Sequence, residues 1–117
     1  MFYSKPFTRY HFVLHDEDDI ARLKAFVETE NVRRYAYIKH ARSSDNKPHY
    51  HFYIELKIGV DELRLEKLTD VPCYRASPLR GSENDIVGYM LKGFTVEDLQ
   101  SGIFKTNIPK FTCYNGA

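Results

Sequence analysis

His49 and His51 stand two positions apart in Lys47-Pro48-His49-Tyr50-His51-Phe52-Tyr53-Ile54-Glu55-Leu56, a run rich in aromatic and branched residues. Side chains of an extended strand alternate between faces, so both imidazoles project to one side while Tyr50, Phe52, Ile54 and Leu56 turn to the other. Neutral imidazole is a good ligand for borderline divalent ions, and a rigid strand holds two of them side by side better than a loop would. A lone His-x-His is also found as plain polar residues on a solvated sheet face, so the rest of the chain must decide between the two.

A second group lies further on. Asp85, Tyr89 and Lys92 are spaced by four and three, which places them on one face of a helix, with Gly88 beside them leaving room for a bulky group. A tyrosine hydroxyl ionises near pH ~10 and is a poor nucleophile at neutral pH. Chemistry at Tyr89 therefore needs a neighbouring cation or base, and Lys92 is placed to supply one. The plain alternative is a surface Tyr and Lys on an amphipathic helix.

Positioning these groups requires particular elements. Tyr10-His11-Phe12-Val13-Leu14-His15 alternates as a first strand and runs into Asp16-Glu17-Asp18-Asp19, acids that suit the positive end of a helix dipole. Ile20, Leu23, Phe26 and Val27 then follow at helical spacing, predicting a helix to about Thr29. Arg34 to His40 reads as a second strand, and the polar segment Ala41 to Pro48 returns the chain into the His49 strand as an antiparallel hairpin. Cross-strand neighbours lie roughly 5 Å apart, so the hairpin brings His40 to the start of the His49 strand and lets His40, His49 and His51 converge.

Asp61 caps a predicted helix to about Leu68, and Pro72 to Ala76 reads as a short strand. Ser82-Glu83-Asn84-Asp85 has the pattern of a capping box opening a helix through Ile86, Val87, Tyr89, Met90 and Leu91, with Gly93 as its stop. A weaker helical piece covers Val96 to Gln100, and from Lys105 a tail without periodicity is expected. The order predicts an α+β fold in a single domain: a central antiparallel sheet with helices packed on one face, ferredoxin-like or RRM-like, with the His49 strand in the middle.

Composition narrows the partners. A chain of 117 residues, 43% hydrophobic and 28% charged, is long enough for one core. No apolar run approaches the roughly 20 residues that span a bilayer, so no membrane partner and an intracellular setting are expected. Cys73 and Cys113 form no Cys-x-x-Cys pair and read as plain thiols. A net charge of +1 argues against binding duplex nucleic acid by bulk charge, whereas 15% aromatic content suits either a sheet core or a base-stacking surface.

Taken in order, Phe12-Val13-Leu14-His15-Asp16, then Lys47-Pro48-His49-Tyr50-His51, then Arg80-Gly81-Ser82-Glu83-Asn84-Asp85 leading into Gly88-Tyr89-Met90-Leu91-Lys92 resemble three ordered motifs. They are those of the HUH endonuclease domain of rolling-circle replication initiators, the Rep proteins of circular single-stranded DNA viruses and small plasmids. The resemblance covers residues 9 to 93. It implies a single-strand endonuclease that nicks a replication origin at a stem-loop, links Tyr89 to the 5′ phosphate, and rejoins strands. Tyr89 matches the nucleophile, Lys92 the lysine of the third motif, and His49 and His51 the ligands of a divalent ion, Mn2+ or Mg2+.

The third ligand position falls at His40 where viral Reps often carry glutamate; His15 is the main competitor, with Asp18 and Asp45 behind it. The expected DNA contacts are His15 and Asp16, Lys47 and Arg80 from the motifs, and Tyr37 as a stacking aromatic. The resemblance also implies a helicase, in a longer protein or borrowed from the host, and a setting in a host nucleus or a bacterial cytoplasm. Two other readings stay open. One is a non-enzymatic RRM-like sheet on which Tyr35, Tyr37 and Tyr53 stack bases. The other is a transposase or relaxase of the same superfamily, over which Tyr-x-x-Lys and the short chain favour an initiator.

Overall fold

The computed structural model describes residues 6–40 and 48–109. Its order is β1 (Phe7–Leu14), α1 (Glu17–Phe26), β2 (Val32–His40), β3 (His49–Val60), α2 (Glu62–Thr69), β4 (Ala76–Pro78), α3 (Glu83–Leu91), a short turn α4 (Val96–Asp98) and β5 (Phe104–Thr106). The strands form one antiparallel sheet in the order β4-β1-β3-β2-β5, so the strand carrying His49 and His51 is central, as expected. No helix among the described residues is long and apolar enough to cross a membrane.

Register follows the alternation of the sequence. Phe12 faces Phe52 across β1 and β3, and Tyr37 faces Phe52 across β2 and β3. One set of alternate residues, Tyr10, Phe12, Leu14, Tyr35, Phe52, Ile54 and Leu56, forms a core with Leu23 and Phe26 of α1 and Leu65 of α2. The other set behaves differently. Ala36, Ile38 and Tyr53 pack against Val87, Met90 and Leu91, so α1 and α2 cover one face of the sheet and α3 lies on the opposite one. The expectation of helices on one face thus holds for α1 and α2. α3 goes to the other face because the apolar stripe it presents is matched there by Ile38 and Tyr53.

Local signals explain most boundaries. Asp16 caps α1 by accepting from the backbone N–H groups of Asp18 and Asp19, at 2.8 and 3.0 Å. Asp61 caps α2 through the Arg64 amide at 2.8 Å, and Ser82 caps α3 through the Asp85 amide at 3.1 Å. Two expectations are corrected. The chain from Cys73 to Arg75 is a single 3-10 turn and the strand lies over Ala76–Pro78, where Pro78 is tolerated on a sheet edge. The expected tail from residue 105 begins as β5, paired with β2, and Ile108 is buried beyond it. A three-residue strand is too short to show periodicity. Residues 110–117 lie outside those described.

Candidate metal centre and adjacent tyrosine

Pairing is regular over the half of the sheet that carries the histidines, and its irregularities fall at the far ends, between Phe7 and Arg9 and between Val32 and Arg34. A fixed register keeps every side chain on its intended face. His40 sits directly opposite His49, Ile38 and Val13 flank His51, and His11 and Ala36 flank Tyr53. All five histidines of the chain meet on this face through successive ring contacts. Ring centroids lie 4.3 Å apart for His40 and His51, 5.2 Å for His40 and His49, and 5.1 Å for His49 and His51.

His40, His49 and His51 each offer a ring nitrogen, and these nitrogens lie within 4.8 Å of one another. The hairpin argument for His40 is therefore realised in the geometry. His15 is exposed and stacks on His49 at 5.2 Å, beside that group. His51 is 8% exposed, and burial, followed by the neighbouring imidazoles of which His40 is the largest influence, pushes its pKa down to about 3. A neutral imidazole keeps a lone pair for an ion. His40 donates from Nε2 to the Met90 carbonyl oxygen at 3.2 Å, which leaves Nδ1 as the nitrogen a ligand would use. Three imidazoles, one of them oriented by a backbone carbonyl, are a donor set that suits a divalent ion.

Tyr89 is 59% exposed on the outer side of α3, and its ring stands edge-on to His51 at 6.3 Å and to His11 at 6.4 Å. Its helix is pinned at both ends. At the start, Glu83 accepts from Arg34 at 2.8 Å and from the Tyr53 hydroxyl at 2.9 Å; at the end, the Met90 carbonyl accepts from His40. Gly88 is buried within α3. Lys92 is corrected in part: the helix ends at Leu91, Lys92 is its extended C-cap, and its side chain makes no hydrogen bond or ion pair with the described residues.

The expected DNA contacts divide. His15 lies at the site. Asp16 is engaged as the cap of α1. Tyr37 is corrected: it sits on the opposite face among Tyr35, Tyr50 and Phe52. Arg80 lies over the ring of Phe7 at 5.3 Å, at the end of β1 remote from the histidines. Lys47 and Asp45 fall outside the described residues. Tyr35, Tyr37 and Tyr53 do not form one stacking platform, since Tyr35 is 5% exposed, Tyr53 is fully buried on the other face, and only Tyr37 has appreciable exposure.

Two contributors to the site were not among the residues expected from the sequence. His11 lies 2.9 Å from His51, nitrogen to nitrogen. Its signal was the alternation of β1, which places it on the same face as Val13 and His15. Glu83 looked like a capping residue and instead ties α3 to the sheet. On the opposite face, at the same end of the sheet, Lys24 and Tyr50, with His15, Lys39, Glu17 and Ile20, line a cleft of about 470 Å3. In it the Lys24 ammonium donates to the Tyr50 hydroxyl at 3.1 Å and lies 4.5 Å from that ring. Compared with known proteins, the chain matches no protein-family model and no curated relative.

Proposed function

We propose that this chain is a metal-dependent single-stranded DNA endonuclease of the HUH type, which nicks and rejoins DNA through a 5′-phosphotyrosine link at Tyr89 and so initiates rolling-circle replication. The observation that carries this reading is the placement of the Tyr89 ring edge-on to His51, itself one of the three grouped histidines His40, His49 and His51. A tyrosine accessible to a strand and a cluster suited to a divalent ion converge from elements distant in sequence.

The three imidazoles would hold Mn2+ or Mg2+, whose chemistry when bound is that of a Lewis acid toward a phosphate oxygen. The chain's own residues do the rest. Tyr89 gives up its hydroxyl proton to solvent and attacks the scissile phosphorus in line, forming the Tyr–O–P bond as the P–O3′ bond breaks and the 3′ oxygen takes up a proton from solvent. Lys92, at the C-cap of α3, stabilises charge developing on the phosphate. His15, stacked on His49, offers a hydrogen-bonding group for the strand beside the site. The phosphotyrosine keeps the energy of the broken ester, so rejoining requires no nucleotide.

A labelled oligonucleotide library incubated with the protein and Mn2+ tests this directly. The expected result is a covalent protein–DNA adduct at Tyr89, with the sequenced adduct reporting the target; no adduct from any single-stranded pool would overturn it.

A further inference from the structure

The contact between His11 Nε2 and His51 Nδ1, at 2.9 Å with the rings stacked 5.1 Å apart, decides which nitrogen of His51 can face an ion. Two neutral imidazoles sharing one hydrogen bond have two arrangements. In the first, His11 donates and His51 accepts at Nδ1; the remaining proton of His51 is then on Nε2, and neither nitrogen has a lone pair to offer. In the second, His51 donates from Nδ1, His11 accepts at Nε2 and carries its own proton on Nδ1, and the lone pair of His51 Nε2 is left for coordination. Only the second is compatible with His51 as a ligand.

We infer that His11 is the positioning residue of the metal centre, accepting a hydrogen bond from His51 Nδ1 and so fixing the tautomer that presents Nε2. The inference rests on the reading of His40, His49 and His51 as a metal site. Its logic is that of outer partners generally: a ligating histidine gives its second ring N–H to an acceptor that sets ring orientation and basicity. Here the acceptor is a further imidazole, delivered by β1, diagonal to His51 across the β1–β3 ladder. His11 also touches the Tyr89 ring, so one side chain abuts a proposed ligand and the proposed nucleophile.

The test joins a spectroscopic readout with variants chosen to keep the fold. Side-chain 15N spectra of the metal-free wild type should place the proton of His51 on Nδ1. His11→Phe keeps an aromatic ring between His51 and Tyr89 but removes the acceptor, and should weaken Mn2+ binding by about tenfold or more in calorimetric titration. His11→Gln restores an acceptor oxygen and should stay within about threefold of wild type, with far-UV circular dichroism unchanged in both variants. A wild-type His51 protonated on Nε2, or Mn2+ affinity in His11→Phe equal to wild type, would overturn the assignment. A wild type that takes up no Mn2+ overturns the metal centre itself, and the tautomer then decides the His11 contact on its own.

Discussion

The imidazole of His40 donates to the backbone carbonyl of Met90 across 3.2 Å, joining a proposed metal ligand on β2 to the end of the helix that carries Tyr89. A cationic or N–H donor near the last carbonyls of a helix satisfies groups that have no partner within it. Loss of His40 should therefore act on two things. His40→Ala is expected to weaken Mn2+ affinity by at least tenfold, about 1.4 kcal/mol, and to loosen α3, whereas His15→Ala alters DNA binding and leaves Mn2+ affinity near wild type. Calorimetry on both variants checks this, and the reverse pattern would make His15 the third ligand.

Tyr89→Phe removes only a hydroxyl from a side chain that is 59% exposed. Stability should change by less than about 0.5 kcal/mol, as for ordinary surface substitutions, while adduct formation falls to background and oligonucleotide binding persists. Undiminished adduct in gel assays would exclude Tyr89 as the nucleophile.

The burial of His51 makes the metal-free fold acid-sensitive. With its pKa held at about 3 against an ordinary 6.5, the unfolded chain binds a proton that the folded chain refuses. The stabilisation is fully present above pH ~6.5 and is lost as pH falls toward about 3. Urea midpoints measured in EDTA between these limits should decline with acidification, and His51→Leu should flatten the slope. An unchanged slope in that variant would show that acid acts elsewhere.

Glu83 accepts from both Arg34 and a fully buried Tyr53. Glu83→Ala leaves the Tyr53 hydroxyl buried without its acceptor, at a cost of about 1–3 kcal/mol. Because α3 is displaced rather than the histidines, cleavage should fall more than Mn2+ affinity. Equal losses in both, measured side by side, would contradict the role of Glu83 as an anchor of the helix alone.

The hairpin was legible in the sequence because its information is local: the alternation of β2 and β3 and the polar segment between them set His40 against His49. The caps at Asp16, Asp61 and Ser82 were equally readable, since each is a side chain bonding an amide two or three residues away. The side of the sheet that α3 would choose was not legible. It depends on Ile38 and Tyr53 matching Val87, Met90 and Leu91, residues distant in the chain. Tyr37 was misassigned because strand aromatics look alike until register shows which face they occupy. His11 escaped notice because its partner is diagonal across a ladder between strands far apart in sequence.

The proposed ligands all come from one hairpin, while Tyr89 arrives from a helix that follows two further elements. Contacts of low sequence separation close with little loss of loop entropy, whereas the hydrogen bonds that dock α3 on the sheet span 30 to 50 residues. The proposed ligands are thus set by local pairing, and the proposed nucleophile by longer-range docking of α3 on the sheet. In the proposed reaction, a DNA strand joined to Tyr89 would therefore be carried by the helix and not by the hairpin that would hold the ion.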